Sequence, residues 1–265
     1  MNLAQRYEVF LEYLRSLGPS AVALSGGADS AFLLKAARDA LGDAVIAVTV
    51  STPYMVTREC AEARRLAEQM DVEHRLIEMP IIDSICFNPQ DRCYRCKYQI
   101  FSTVRETLSS EGYGTVLEGT NADDHAEHRP GMRALEELHI LSPLRHLGFT
   151  KEAIRTVSRM QGLSTWNKPS NACLLSRLPL NREITEAELE RIEKSEEYLT
   201  ELGLRIVRLR SHGDLARIEC GEEERRLLQN DDLRGTVSRR LRELGYRYVT
   251  VDMDGYQEGS MDGVP

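Results

Sequence analysis

The chain has 265 residues, enough to bury a full core in one large domain or in one plus a smaller one. Hydrophobic residues make up 42% and charged residues 29%, as in ordinary soluble globular chains, and no stretch reaches the roughly 18 apolar residues of a membrane span. The formal net charge of −8 argues against a tight nucleic-acid binder, which shows a basic surplus or stretch.

The N-terminus carries charges throughout and lacks a secretory apolar centre, so a cytoplasmic location is the expectation. It reads as an amphipathic helix, with Leu3, Tyr7, Phe10, Leu11 and Leu14 at helical spacing. Residues 21–24 and 44–50 are short continuous apolar runs, as expected of strands covered on both faces. Between them, 29–41 reads as a helix with Phe32, Leu33, Ala36, Ala37 and Leu41 on one side. A helix over 57–70, a strand over 73–79, a helix over 97–110 and a buried strand over 115–118 follow. This regular alternation predicts an α/β fold, a parallel sheet with helices on both faces and a ligand beyond the carboxyl ends of its strands.

The character changes near Leu178, which separates residues 1–178 from a small α+β domain of residues 179–265. The second part holds a charged helix over 185–203, with Ile184, Leu189, Ile192 and Leu199 as its apolar positions. Two alternating runs around Gly213 then predict a hairpin, followed by a helix over 222–244 and a final strand, YRYVTVD.

Ser25-Gly26-Gly27-Ala28-Asp29-Ser30 follows a buried strand and opens a helix. Two glycines let the backbone turn tightly and approach a ligand, and the helix N-terminus with the Ser25 and Ser30 hydroxyls would face an anion. Neither GxxxxGK[ST] nor GxGxxG is present, and the competing reading is a capped strand-to-helix turn. Gly119-Thr120-Asn121-Ala122-Asp123-Asp124 follows a later strand at the same end of the sheet, where two loops form a shared site. Asp123 or Asp124 is a candidate ligand for Mg2+ against a pyrophosphate, and the competing reading is an Asx turn.

Six cysteines in a reducing compartment are not expected to form a disulfide framework. Cys93 and Cys96 form a CxxC at a helix start, and Cys173 lies in a distant loop. Three thiolates on a four-iron cluster leave one iron open, whereas structural sites are closed by four ligands. Half of a zinc site, a thioredoxin-like pair and unliganded thiols compete with that reading. His125 and His128 offer nitrogen ligands but sit beside the second loop and read as lining it; Cys60, Cys86 and Cys220 read as core residues.

SGGADS after one strand and GTNADD after another resemble the ATP pyrophosphatase superfamily. That resemblance implies ATP split between its α- and β-phosphates, with a substrate oxygen adenylated and then displaced by a nucleophile. The order SGGxDS, CxxC, GTNADD, SPLR, KPxxxC and SR, with a small α+β tail, resembles the LarE family of ATP-dependent sulfur-insertion enzymes over nearly the whole chain. The resemblance implies thiocarboxylate formation on pyridinium-3,5-biscarboxylic acid mononucleotide, for the nickel-pincer cofactor of lactate racemase. One branch sacrifices the sulfur of a cysteine at the Cys173 position, leaving dehydroalanine. The added Cys93 and Cys96 make this chain resemble the branch that holds a [4Fe-4S] cluster on three cysteines.

Under this reading Cys173 is catalytic, and Ser25, Gly26, Gly27, Asp29, Ser30, Gly119, Thr120, Asp123 and Asp124 hold ATP and Mg2+. Arg208 and Arg210, same-face neighbours on the predicted hairpin, are candidates for the substrate's phosphate, with Arg177 a further one; exposed strand arginines are the competing reading. The expected partner is a small-molecule nucleotide, with no membrane and no nucleic acid, in a homo-oligomer whose small domain serves substrate binding or assembly. A tRNA thiolase, an amide-forming ligase and a non-catalytic nucleotide-binding protein are the alternatives.

Overall fold

The computed structural model describes residues 2–124, 130–169, 172–257 and 259–261; His125 and His128 lie outside them. Helix α1 (Leu3–Leu17) starts on a capping box, in which Gln5 N donates to Asn2 Oδ1 at 2.9 Å and Asn2 N to Gln5 Oε1 at 3.0 Å. Strand β1 (Ser20–Ala23) leads into α2 (Ala28–Leu41), then β2 (Val45–Ser51), α3 (Thr57–Gln69), β3 (Glu73–Glu78), α4 (Arg92–Ser109) and β4 (Thr115–Leu117). The four strands are parallel, in the order β3-β2-β1-β4. Adjacent residues of a strand point to opposite faces, and Ala21, Val22, Ile46 and Ala47 are all buried. Both faces are therefore covered, as the unbroken apolar runs predict, and the α/β expectation is borne out.

The sheet core joins α1, α2 and the segment just before Lys151 through Phe10, Phe32 and Phe149, whose ring centroids lie 5.0–5.9 Å apart. Such pairs add about 0.5–1.5 kcal/mol each beyond the area they bury, which holds α2 firmly on the sheet. Helices α5 (Gly131–Glu137), α6 (Pro143–His146) and α7 (Lys151–Met160) fill a stretch to which the sequence reading assigns no element. The helix expected over 97–110 begins at Arg92, because no Gly or Pro interrupts the chain after Asp91; Cys93 and Cys96 therefore lie inside it.

The chain divides into two compact units, one of Met1–Thr52, Thr57–Ile82 and Asp91–Asn171, the other of Pro53–Val56, Asp83–Gln90 and Ala172–Pro265. In the second, Thr185 Oγ caps α8 (Glu186–Glu201), which buries Leu189, Ile192 and Leu199. Strands β5 (Val207–His212) and β6 (Leu215–Cys220) form the expected antiparallel hairpin, its turn passing through Gly213 at φ 73°. The helix expected over 222–244 is two, α9 (Glu222–Leu227) and α10 (Asp231–Glu243). Asn230 leaves helical geometry at ψ 123°, and its Oδ1 accepts from Leu233 N at 2.9 Å. Strand β7 (Tyr248–Val251) pairs parallel to β6 and completes a mixed three-stranded sheet, β5-β6-β7. No helix among the described residues is long and apolar enough to cross a membrane.

Candidate active site

In the first unit the chain runs from β1 outward to β2 and β3 on one side and returns to β4 on the other, so the strand order reverses between β1 and β4, the position at whose carboxyl ends ligands of such sheets bind. The loop after β1 turns at Gly26, φ 77°, where a Cβ would stand 2.9 Å from Glu59 O on α3. Ser25 Oγ and Ser30 Oγ are 3.0 Å apart, and Ser25 N donates to Ser30 Oγ at 3.2 Å, closing the loop on the first turn of α2. Gly27 caps α2 without a side-chain hydrogen bond, so the helix N–H groups are left to face an anion. Behind the loop, Thr49 Oγ1 donates to Leu24 O at 2.7 Å, and His74 Nε2 lies 2.8 Å from that hydroxyl.

The loop after β4 meets the first directly, since Asn121 Nδ2 donates to Asp29 Oδ2 at 2.9 Å. Gly119 makes this approach possible: a Cβ there would lie 3.0 Å from Ser30 N. The loop hangs on the chain that enters α7. Arg145 N donates to Thr120 O at 3.1 Å, Ala122 N to Phe149 O at 2.8 Å, and Lys151 N to Asp123 Oδ2 at 2.7 Å. Asp123 N donates to Asn121 Oδ1 at 2.9 Å, an Asx turn, while Asp124 Oδ1 is 3.2 Å from Lys151 Nζ. Buried Glu118, just ahead of the loop, accepts from Thr120 N, Thr120 Oγ1 and Ser142 Oγ. Burial pushes the Asp29 carboxyl above its ordinary pKa, against the Asn121 amide and with Asp124 adding to the rise.

Cys93 is exposed and Cys96 half-buried, three residues apart on the opening turns of α4 and so on neighbouring positions of its surface. That turn packs on the start of α5, where a Cβ on Gly131 would stand 3.2 Å from Cys93 O. Lys97 Nζ lies 3.9 Å from Glu118 Oε2, which links the CxxC helix to the second loop.

In the second unit half-buried Cys173 caps a short 3-10 turn, Leu174–Arg177, and Leu174 N donates to Tyr54 O at 2.9 Å. Buried Arg177 holds that turn together. Its Nη1 donates to Ala172 O at 2.9 Å and Cys173 O at 3.3 Å, while Nε and Nη2 each reach Glu196 at 2.9 Å. Arg210 is buried as well, donating to Glu219 at 2.8 and 2.6 Å and to Ser176 O at 2.9 Å. Arg208 Cζ stands 5.5 Å from the Tyr256 ring centre; burial and then the Arg177 charge hold its pKa below the ordinary arginine value. Cys220 is buried, its thiol pushed up to about 11 by burial first and then by Glu224, and it stays protonated at neutral pH.

Among the described residues no group of three His, Cys, Asp or Glu side chains is arranged to hold a metal ion. This bears differently on the two metals expected. Mg2+ takes one or two carboxylates together with nucleotide phosphates and waters, and the Asp29, Asp123 and Asp124 region fits that demand. The three cysteines expected on a cluster are divided, Cys93 and Cys96 in one unit and Cys173 in the other. Sequence reasoning missed Glu118, Lys151 and Lys168 as residues that shape the loops. Glu118 left a signal, a carboxylate ending an apolar strand directly before the second glycine loop, and Lys168 stands in the KPxxxC stretch.

A reversed parallel sheet with two glycine loops at its switch point defines a PP-loop, adenine-nucleotide type of enzyme, and the family described as Queuosine biosynthesis protein QueC matches residues 20–91. The chain is 34% identical to the pyridinium-3,5-bisthiocarboxylic acid mononucleotide synthase of Lactiplantibacillus plantarum, covering 98% of this chain and 95% of that protein. An uncharacterized Synechocystis sp. protein is also 34% identical, over 99% of this chain and 98% of its own length. A Methanocaldococcus jannaschii protein, likewise uncharacterized, is 29% identical over 89% and 90%. The chain belongs to the LarE family of PP-loop enzymes, and membership implies the use of ATP with Mg2+.

Proposed function

We propose that this chain is an ATP-dependent sulfurtransferase that turns a carboxylate of a nicotinate-derived mononucleotide into a thiocarboxylate, releasing AMP and pyrophosphate. The observation that carries the reading is the meeting of the two loops at Asn121 and Asp29, 92 residues apart in sequence. The relative named for a bisthiocarboxylic acid product supports sulfur as the incoming atom.

A carboxylate is a poor acyl donor, and adenylation gives it a leaving group. The substrate oxygen attacks the α-phosphorus of ATP, and pyrophosphate leaves into Ser25, Gly26, Gly27 and Ser30, where loop N–H and hydroxyl groups meet its charge. Bound Mg2+, held from the side of Asp29, Asp123 and Asp124 with Gly119 and Thr120 shaping the loop, supplies further neutralisation. The Cys173 sulfur attacks the acyl carbon and expels AMP. If that sulfur is given up, the Cβ–S bond breaks as the Cα proton is removed, leaving dehydroalanine at position 173. Arg208, with Arg177 and Arg210 adding positive charge from behind it, is assigned to the substrate's phosphate. We assign nucleotide handling to the first unit and substrate recognition to the second, in a cytoplasmic homo-oligomer.

A [4Fe-4S] cluster on Cys93, Cys96 and Cys173 is the second reading of the sulfur source. The observation that favours it is the CxxC spacing, which puts Cys93 and Cys96 on neighbouring positions of the opening turns of α4. The test of the activity is incubation of the full chain with ATP, Mg2+ and pyridinium-3,5-biscarboxylic acid mononucleotide, with products resolved by mass spectrometry. AMP, pyrophosphate and a thiocarboxylate are expected. ADP and phosphate would refute the adenylation step, and thiolated nucleoside made from tRNA would move the enzyme to the tRNA thiolases.

A further inference from the structure

Lys168 lies five residues before Cys173, and its ammonium reaches back to the nucleotide loop. Nζ donates to Gly26 O at 2.9 Å and to the Glu62 carboxylate on α3. The side chains are only 17% and 27% exposed, so this is a shielded, charge-assisted contact and not a solvated surface pair. Gly26 is confined on its other side by α3, where Glu59 O would touch any Cβ.

Across a trans peptide the carbonyl of one residue and the N–H of the next point in opposite directions. With Gly26 O held by Lys168, the Gly27 N–H is turned the other way, towards Ser25 Oγ at 3.4 Å and the side of the loop that carries both serine hydroxyls. A Gly-Gly peptide flips more easily than others, because neither residue has a Cβ to oppose it. Flipped, it would offer a carbonyl dipole to a pyrophosphate in place of a donor.

We infer that Lys168 is a positioning residue that locks the Gly26–Gly27 peptide in its anion-binding orientation, with Glu62 holding the ammonium in place. The inference rests on the ATP-splitting reading and deepens it. The chain segment that leads to Cys173 also sets the donor geometry of the loop that receives pyrophosphate.

Titration calorimetry of the full chain with magnesium pyrophosphate, with α,β-methylene-ATP and with adenosine tests this. Lys168→Met should weaken both phosphate ligands by about tenfold to a hundredfold, the worth of one charge-assisted hydrogen bond, and raise the KM for ATP accordingly. Adenosine, which has no phosphates, should bind wild type and variant alike, and Lys168→Arg should recover most of the loss. Glu62→Gln removes the counter-charge while leaving Lys168 in place. It should weaken pyrophosphate by a smaller factor, and it carries the test if Lys168→Met does not fold. Unchanged pyrophosphate binding in the variants, or equal losses for pyrophosphate and adenosine, would overturn the inference and leave the ATP-splitting reading standing. A wild type that binds neither phosphate ligand would remove both.

Discussion

Asp29 stands in the first turn of α2, half-buried, with the Asn121 amide donating to its Oδ2 and Asp124 nearby. Burial raises its pKa, so the folded chain holds the Asp29 proton more tightly than the unfolded chain does. The stability this group contributes is therefore full below the ordinary carboxylate value of about 3.9 and is lost as pH rises through the raised one. At neutral pH the ionised carboxylate is a cost to the fold, kept because a cation-bearing nucleotide can use it. Asp29→Asn removes that cost and retains a side-chain oxygen to accept from Asn121. The variant should melt at a higher temperature than wild type at neutral pH, with the gap closing towards pH 4, while AMP formation is abolished. Melting curves across that range decide the matter. A variant less stable than wild type at neutral pH would show that Asn121 and the helix N-terminus outweigh burial.

At the scale of single elements, the loop after β1 was legible because each of its parts leaves a mark in sequence: an apolar run, two glycines and a helix-forming stretch. The positions of those glycines carry different demands. Gly26 combines φ 77° with a backbone oxygen 2.9 Å from any Cβ, whereas Gly162 has φ 73° and nothing within 4 Å. Gly162→Ala should cost only the left-handed conformation, about 1–2 kcal/mol. Gly26→Ala must also push α3 away from the loop, and it should lose ATP-dependent AMP formation outright, with a larger fall in melting temperature. Equal effects of the two substitutions on AMP formation would refute a tight loop at Gly26. The short helices α5 and α6 left no comparable mark, since seven and four residues give too few turns for a period to emerge, whereas α7 carries Ile154 and Val157 at helical spacing. Their places are set by tertiary bonds such as Ala122 N to Phe149 O, which no local pattern encodes. The break between α9 and α10 was in principle readable from Asn230, an N-cap residue followed by two acids, but the charge pattern runs on across it. Lys168 stands in the KPxxxC stretch, but nothing local gives it a role at the nucleotide loop, because its bonds to Gly26 and Glu62 are tertiary.

For the whole molecule, the second unit gathers Pro53–Val56 and Asp83–Gln90 to the chain from Ala172 onward. Nothing in the polarity of those two short segments announces it; side chains such as buried Asn88, which donates to Leu178 O and Pro179 O at 3.2 and 2.9 Å, do the joining. The sulfur question belongs to this scale, because Cys93 and Cys96 lie in one unit and Cys173 in the other. A [4Fe-4S] cluster shared by the three predicts about four irons per chain in anaerobically purified protein, with the visible absorbance of such a cluster. Cys93→Ala, Cys96→Ala and Cys173→Ala should each lose most of that iron, since two thiolates hold a cluster poorly. Cys60→Ala, Cys86→Ala and Cys220→Ala should keep it. Several thiocarboxylate products per chain, with the mass of the protein unchanged after turnover, would accompany a cluster-borne sulfide. If purified and reconstituted protein holds zinc or no metal, and Cys93→Ala and Cys96→Ala remain active, the cluster is excluded. Cys173 then gives up its own sulfur, and the chain should lose the mass of one sulfur and two hydrogens in a single turnover.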